Sequence, residues 1–152
     1  MKYKIVTAFD EAFLQQSTST LLSEFKDNWE NKIEFHCYYY NLDLSNYSLP
    51  KAANIHYHNL MEVEDYPKFI KKFSRHNGTE GNTIPYNEIL DPIKFVPKVI
   101  GLTECAFESS DCWLIWLDPS AINTKSISVK DLESIFPENS DKVDMITLKD
   151  SA

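Results

Sequence analysis

Between Asp111 and Asp118 the chain carries an unbroken apolar run, CWLIWL, at positions 112–117. A strand with one wet face alternates apolar and polar residues, whereas a short continuous apolar run between turn signals belongs to a strand covered on both faces. The run therefore predicts a central, nearly solvent-free strand. The rest of the chain must then supply layers on both sides of a sheet.

The remaining pattern supplies them. Residues 2–9 (KYKIVTAF) read as a first strand, and from Asp10 onward Phe13, Leu14, Leu21, Leu22 and Phe25 recur at helical spacing as far as Trp29. Asp10 is placed to cap that helix, and the Ser17-Thr18-Ser19-Thr20 stretch is a weak point within it. Residues 32–40 (KIEFHCYYY) form a second strand, 41–50 a loop and 53–58 (ANIHYH) a third strand. A short helix is expected over 64–75, starting near Pro67. Residues 76–85 hold two of the three glycines and read as the least ordered interior segment. Over 91–107 a helical stripe of Ile93, Val96, Ile100, Thr103 and Phe107 is interrupted by Pro97, which bends a helix or delays its start. A helix over 129–136, capped by Ser128 or Asp131, and a last strand over 142–148 complete the order β-α-β-β-α-α-β-α-β. This is an α/β layered domain, Rossmann-like, with a mainly parallel sheet.

The 152 residues fit one domain spanning 1–152, long enough to bury a core. A formal charge of −8 excludes a nucleic-acid phosphate surface, which needs clustered Lys and Arg. Such charge serves solubility, or complements a basic protein partner. Cys37, Cys105 and Cys112 are odd in number, without CxxC spacing, and fit a reducing cytoplasmic compartment. The N-terminal stretch meets an acid at Asp10 before any signal-peptide apolar region forms, and no apolar run approaches the roughly 18 residues of a membrane span.

In α/β sheets, ligands collect beyond the carboxyl ends of strands. Two acids stand there: Asp10 after the first strand and Asp118 after the apolar one. The segment WLIWLDPSA (113–121) resembles the WLIWLDADT-type segment of nucleotide-sugar glycosyltransferases of the type A fold, whose DxD motif binds the nucleotide diphosphate through a divalent cation. The preceding DPIKFVPKVIGLTECAF (91–107) resembles the helix that runs into that motif in phage-encoded and bacterial members. MKYKIVTAFDEAF (1–13) is similar to the family's opening strand, whose end contacts the base. The resemblance implies a nucleotide-sugar ligand, with Asp118 and Asp10 beside the nucleotide and Lys98 near the diphosphate, and Mn²⁺ or Mg²⁺ with a UDP-sugar wherever a donor site is retained.

The chain departs from that pattern at the motif. Its third position is Ser120, which adds no negative charge, so affinity for a hard cation should fall and the DxD motif is degenerate. Pro119 stiffens the turn and removes a backbone donor. No metal or cofactor is expected to stay bound. The sequence also ends 34 residues after Asp118 (152 − 118), where type A enzymes continue through acceptor-binding elements. A glycosyltransferase-like domain that is impaired or incomplete follows, with no catalytic residue assigned. The alternative is a small acidic protein-binding module, of the kind a virus encodes, that keeps the scaffold without the chemistry.

The same residues have plainer readings. Asp-Pro initiates turns without any ligand. His56 and His58, at i and i+2, share a sheet face and offer two metal ligands, but the sequence shows no third beside them, which favours ordinary strand histidines. Lys94 and Lys98 suit a solvated helix face as well as a phosphate, and Tyr38, Tyr39 and Tyr40 suit strand packing. Ser-His-Asp order, a Walker loop and a nucleophile elbow are all missing from the sequence.

Overall fold

A computed structural model describes residues 2–73, 92–108 and 112–136 of the chain. The expected loop at 76–85 and the expected last strand at 142–148 lie outside the described residues. Strands β1 (Lys2–Phe9), β2 (Glu34–Tyr39), β3 (Ile55–Asn59) and β4 (Cys112–Trp116) form an all-parallel sheet in the order β3-β2-β1-β4. Helices α1 (Glu11–Phe13), α2 (Ser19–Asn28), α3 (Asp65–Phe73), α4 (Pro92–Phe107) and α5 (Val129–Ile135) flank it. Sheet-building proceeds from β1 outward to β3, then returns to the opposite side of β1 with β4, so the topological switch point lies between β1 and β4.

Strand periodicity divides the core in two. Tyr3, Ile5 and Phe9 of β1, with Phe35, Cys37, Ile55 and Trp113, pack beneath Leu21, Leu22 and Phe25 of α2 and Leu132 of α5. The Phe25 ring lies 4.6 Å from that of Phe35. On the other face Val6, Ala8 and Tyr38 meet Leu60, Tyr66, and Val96 and Cys105 of α4. The tyrosines divide as strand geometry requires, Tyr38 and Tyr40 to the α4 face and Tyr39 to the α2 face.

Four sequence expectations are refined or corrected. β4 has partners on both faces, Trp113, Ile115 and Leu117 on one and Leu114 and Trp116 on the other, which explains its lack of alternation. Among the described residues it nevertheless lies at the edge of the sheet, not at its centre. Among the described residues β1 is its one strand neighbour, and only Trp113 within it is buried. Helix α4 begins at Pro92 and runs through Pro97 without restarting. Its buried side is Val96, Gly101 and Cys105, while Thr103 faces solvent and Phe107 is 83% exposed, so the predicted stripe is rotated at its C-terminal end. The rotation follows from Gly101, where an added Cβ would lie 3.0 Å from Tyr38 Cδ2: lack of a side chain lets the helix backbone settle onto the Tyr38 ring.

The weak point in the first helix is a π-helical turn, Leu14–Thr18, between α1 and α2. Asp10 caps α1 as expected, its Oδ1 accepting from the Phe13 N–H at 3.0 Å. At α5 the two candidate caps act together: Ser128 and Asp131 form a reciprocal capping box.

Candidate functional site

The carboxyl ends of β1 and β4 flank the switch point, the place where open parallel sheets leave a crevice for ligands. Asp10 directly follows β1. Leu117 prolongs the β1–β4 ladder, its N–H donating to the Val6 carbonyl at 2.9 Å, and Asp118 comes next. Lys98 of α4 reaches the same end of β4, with Nζ 5.0 Å from the centre of the Trp116 ring. The three sequence candidates thus sit at the carboxyl ends of two adjacent strands.

Each has local partners that fix its position. Asp118 is exposed, and its Oδ1 accepts from the Ser120 N–H at 2.9 Å and the Ser120 hydroxyl at 2.6 Å. This is a side-chain-closed turn, as the plainer reading of Asp-Pro requires. It also shows that positions 118 and 120 converge, despite Pro119. Pro119 is buried, and its carbonyl accepts from the hydroxyls of Ser17 at 3.0 Å and Thr18 at 3.3 Å. The π-helical turn therefore presents two hydroxyls to the Asp118 turn, which accounts for serine and threonine at a place where helix propensity suffers. Such turns recur where a helix serves a site.

Beside Asp10 stand Tyr40 and Tyr66, with ring centres 5.8 Å apart. Burial first, and the Asp10 charge second, push the Tyr66 hydroxyl up to about 12 and raise Tyr40 further. Both remain neutral hydrogen-bonding groups at physiological pH. The Asp10 side of the switch point is accordingly acidic and aromatic, and Lys98 places a cation on its β4 side.

A second constellation, away from the strand ends, was only half visible in the sequence. The parallel register sets His36 of β2 directly opposite His56 of β3, and Tyr38 opposite His58. Glu34 lies two residues before His36 on the same face, and Lys4 of β1 is its cross-strand neighbour. His36 Nε2 is 3.3 Å from Glu34 Oε2, and His36 Nδ1 is 3.1 Å from His58 Nε2. Lys4 Nζ is 3.4 Å from the same Glu34 oxygen. Donor atoms of Glu34, His36 and His56 all lie within 4.8 Å of one another. The expectation that His56 and His58 have no further ligand nearby is thereby corrected: β2 brings Glu34 and His36. The available signal was the alternation in EFH (34–36), but joining it to HYH (56–58) required the β2–β3 register, which no single strand encodes.

Burial holds the His36 imidazole down, to about 4, against the raising effect of its Glu34 contact; Lys4, His56 and His58 act in the same sense as burial. Burial also lowers His58, with Glu108 opposing it. Burial tends to raise the Glu34 carboxyl, but the His36 hydrogen bond and the Lys4 charge outweigh it and leave the net shift downward. At neutral pH Glu34 is a carboxylate and His36 and His58 are neutral imidazoles.

Among the described residues no helix is long and apolar enough to cross a membrane. Comparison of the chain with family models, with curated proteins and with solved structures finds no match.

Proposed function

We propose that the chain is a glycosyltransferase-like domain of the type A kind, whose switch-point crevice receives the nucleotide part of a nucleotide-sugar and whose transfer chemistry is impaired. The observation that carries the reading is the pairing of β1 with β4, which puts the acids Asp10 and Asp118 at adjacent strand ends across the switch point. In this reading Asp118 accepts from a ribose hydroxyl, Asp10 lies toward the base and Lys98 toward the diphosphate. A diphosphate beside two carboxylates needs compensating positive charge. Lys98 supplies one charge, and a metal held by Asp118 with Ser120 would supply little more, because a hydroxyl at the second position does not offset the cost of dehydrating a hard cation.

Calorimetric titration with UDP tests the reading. Weak, largely Mn²⁺-independent binding that is lost in Asp118→Asn supports a retained nucleotide site. Absence of UDP binding would instead favour the acidic protein-binding module.

A further inference from the structure

We propose that the α4-side face of β2 and β3 is a binding site for a divalent first-row transition metal of the zinc class, held by Glu34, His36 Nε2 and His56. Two imidazoles and one carboxylate are a donor set that zinc accepts with a fourth position left for water or a substrate atom. Softness and geometry set this site apart from the hard-cation chemistry considered at Asp118: imidazole suits zinc, nickel, copper and iron, whereas Mg²⁺ prefers oxygen alone.

The geometry is close to what such an ion needs. In a tetrahedral site with metal–ligand bonds of about 2.0–2.1 Å, neighbouring donor atoms lie about 3.3–3.4 Å apart. Glu34 Oε2 and His36 Nε2 are separated by 3.3 Å. His56 completes a triangle with no edge above 4.8 Å, which side-chain rotation on a fixed strand pair can close. The three donors come from two hydrogen-bonded strands, so the backbone already holds their register. Binding therefore orders little more than side chains.

A second layer is also present. Metal-bound histidines commonly donate their other N–H to an acceptor that fixes the tautomer. His36 Nδ1 has that partner in His58 Nε2 at 3.1 Å. His58 in turn stacks on Tyr38, ring centres 4.7 Å apart, and Tyr38 is pressed by Gly101 of α4. His58 is thus a positioning residue, not a ligand. It also lines a cleft of about 280 Å³ with Tyr38, Glu104 and Glu108, a route from solvent to the edge of the cluster. Lys4 is the opposing element. Its ammonium shares the Glu34 oxygen that a metal would take, so it lowers metal affinity and must swing aside on binding.

Titration of the intact chain with ZnCl₂, in parallel with MgCl₂, tests the proposal. One equivalent of Zn²⁺ should bind, with no comparable Mg²⁺ binding. His56→Asn, at a half-buried position, and Glu34→Gln should each weaken Zn²⁺ by at least about tenfold. Lys4→Met should strengthen it, and Cys112→Ser should leave it unchanged. His58→Gln should weaken it less than His56→Asn does. Failure of the unaltered chain to bind Zn²⁺ overturns the proposal. So does equal binding by the His56→Asn and Glu34→Gln variants, with circular dichroism showing both folded, because the ion then sits elsewhere. The outcome is independent of UDP binding, so this site and the switch-point site stand or fall separately.

Discussion

Thr7 lies in the middle of β1 with no exposed surface, and its Oγ1 has no hydrogen-bond partner among the described residues. A buried hydroxyl without a partner costs desolvation and returns nothing, so Thr7→Val should raise stability by up to about 1 kcal/mol. Urea denaturation reads this directly, and a lower midpoint in the variant would mean that the hydroxyl has a partner after all. His36 makes the opposite kind of demand. Its folded-state pKa of about 4 lies below the ordinary 6.5, so between those values the unfolded chain takes up a proton that the folded chain refuses. Stability should therefore fall as pH drops from 6.5 toward 4, by at most about 1.4 kcal/mol per pH unit for this one proton. Lys4 from β1 and His56 and His58 from β3 face His36 and reinforce the effect, while Glu34 opposes it. His58, itself lowered, adds loss in the same direction, and Glu34, held below 4.5, adds more at lower pH. Comparing urea midpoints at pH 7 and pH 5 for the parent and for His36→Gln checks this. An equal drop in both would remove His36 from the explanation.

Helix α4 depends on a glycine in its buried face. Gly101→Ala gains helix propensity of about 1 kcal/mol. Its new Cβ, however, would come within 3.0 Å of a Tyr38 ring already stacked against His58 on the sheet. Overpacking of this kind costs about 1–3 kcal/mol, so a net loss of about 1 kcal/mol is expected, read as a lower melting temperature. A more stable Gly101→Ala would show that Tyr38 can yield. At α5, Ser128→Ala removes the hydroxyl that accepts from the Asp131 N–H and should cost about 1 kcal/mol, because this short helix holds Leu132 in the core. A variant with unchanged chemical denaturation would contradict that role. Elements of this kind were legible in the sequence where local chemistry decides them: Asp10, Ser128 and Asp131 announce helix starts, and KIEFHCYYY announces a strand. The rank of β4 was not legible. WLIWL records that both faces are packed, whereas strand order depends on which neighbours pair, and β1, with its lysines and threonine, carries no louder apolar signal than β4 while occupying the interior of the sheet. The α4 stripe misled for a related reason, since a glycine contributes nothing to an apolar pattern yet marks the closest approach.

At the scale of the whole molecule, the sheet places two different chemistries apart. Acids at the carboxyl ends of β1 and β4 could be anticipated from strand–acid punctuation alone, and the order β3-β2-β1-β4 puts them across a switch point. The Glu34–His36–His56 cluster could not be anticipated, because it exists only once β2 and β3 align in parallel register. Among the described residues, imidazoles are present at the second location and not at the first, so a borderline cation such as Zn²⁺ should choose the second. The nucleotide site proposed at the first location has its acidic pair broken at Ser120. Ser120 already points its hydroxyl to within 2.6 Å of Asp118 Oδ1, so Ser120→Asp should bring a second carboxylate beside the first. The direct measurement is calorimetric titration of UDP into the parent and into Ser120→Asp, each with and without Mn²⁺. Mn²⁺ should leave UDP affinity nearly unchanged in the parent and raise it at least about tenfold in Ser120→Asp, as a second carboxylate recruits the metal to the diphosphate. Tight Mn²⁺-dependent UDP binding by the parent, or no response to Mn²⁺ in a folded Ser120→Asp, would rule out a nucleotide site broken at Ser120.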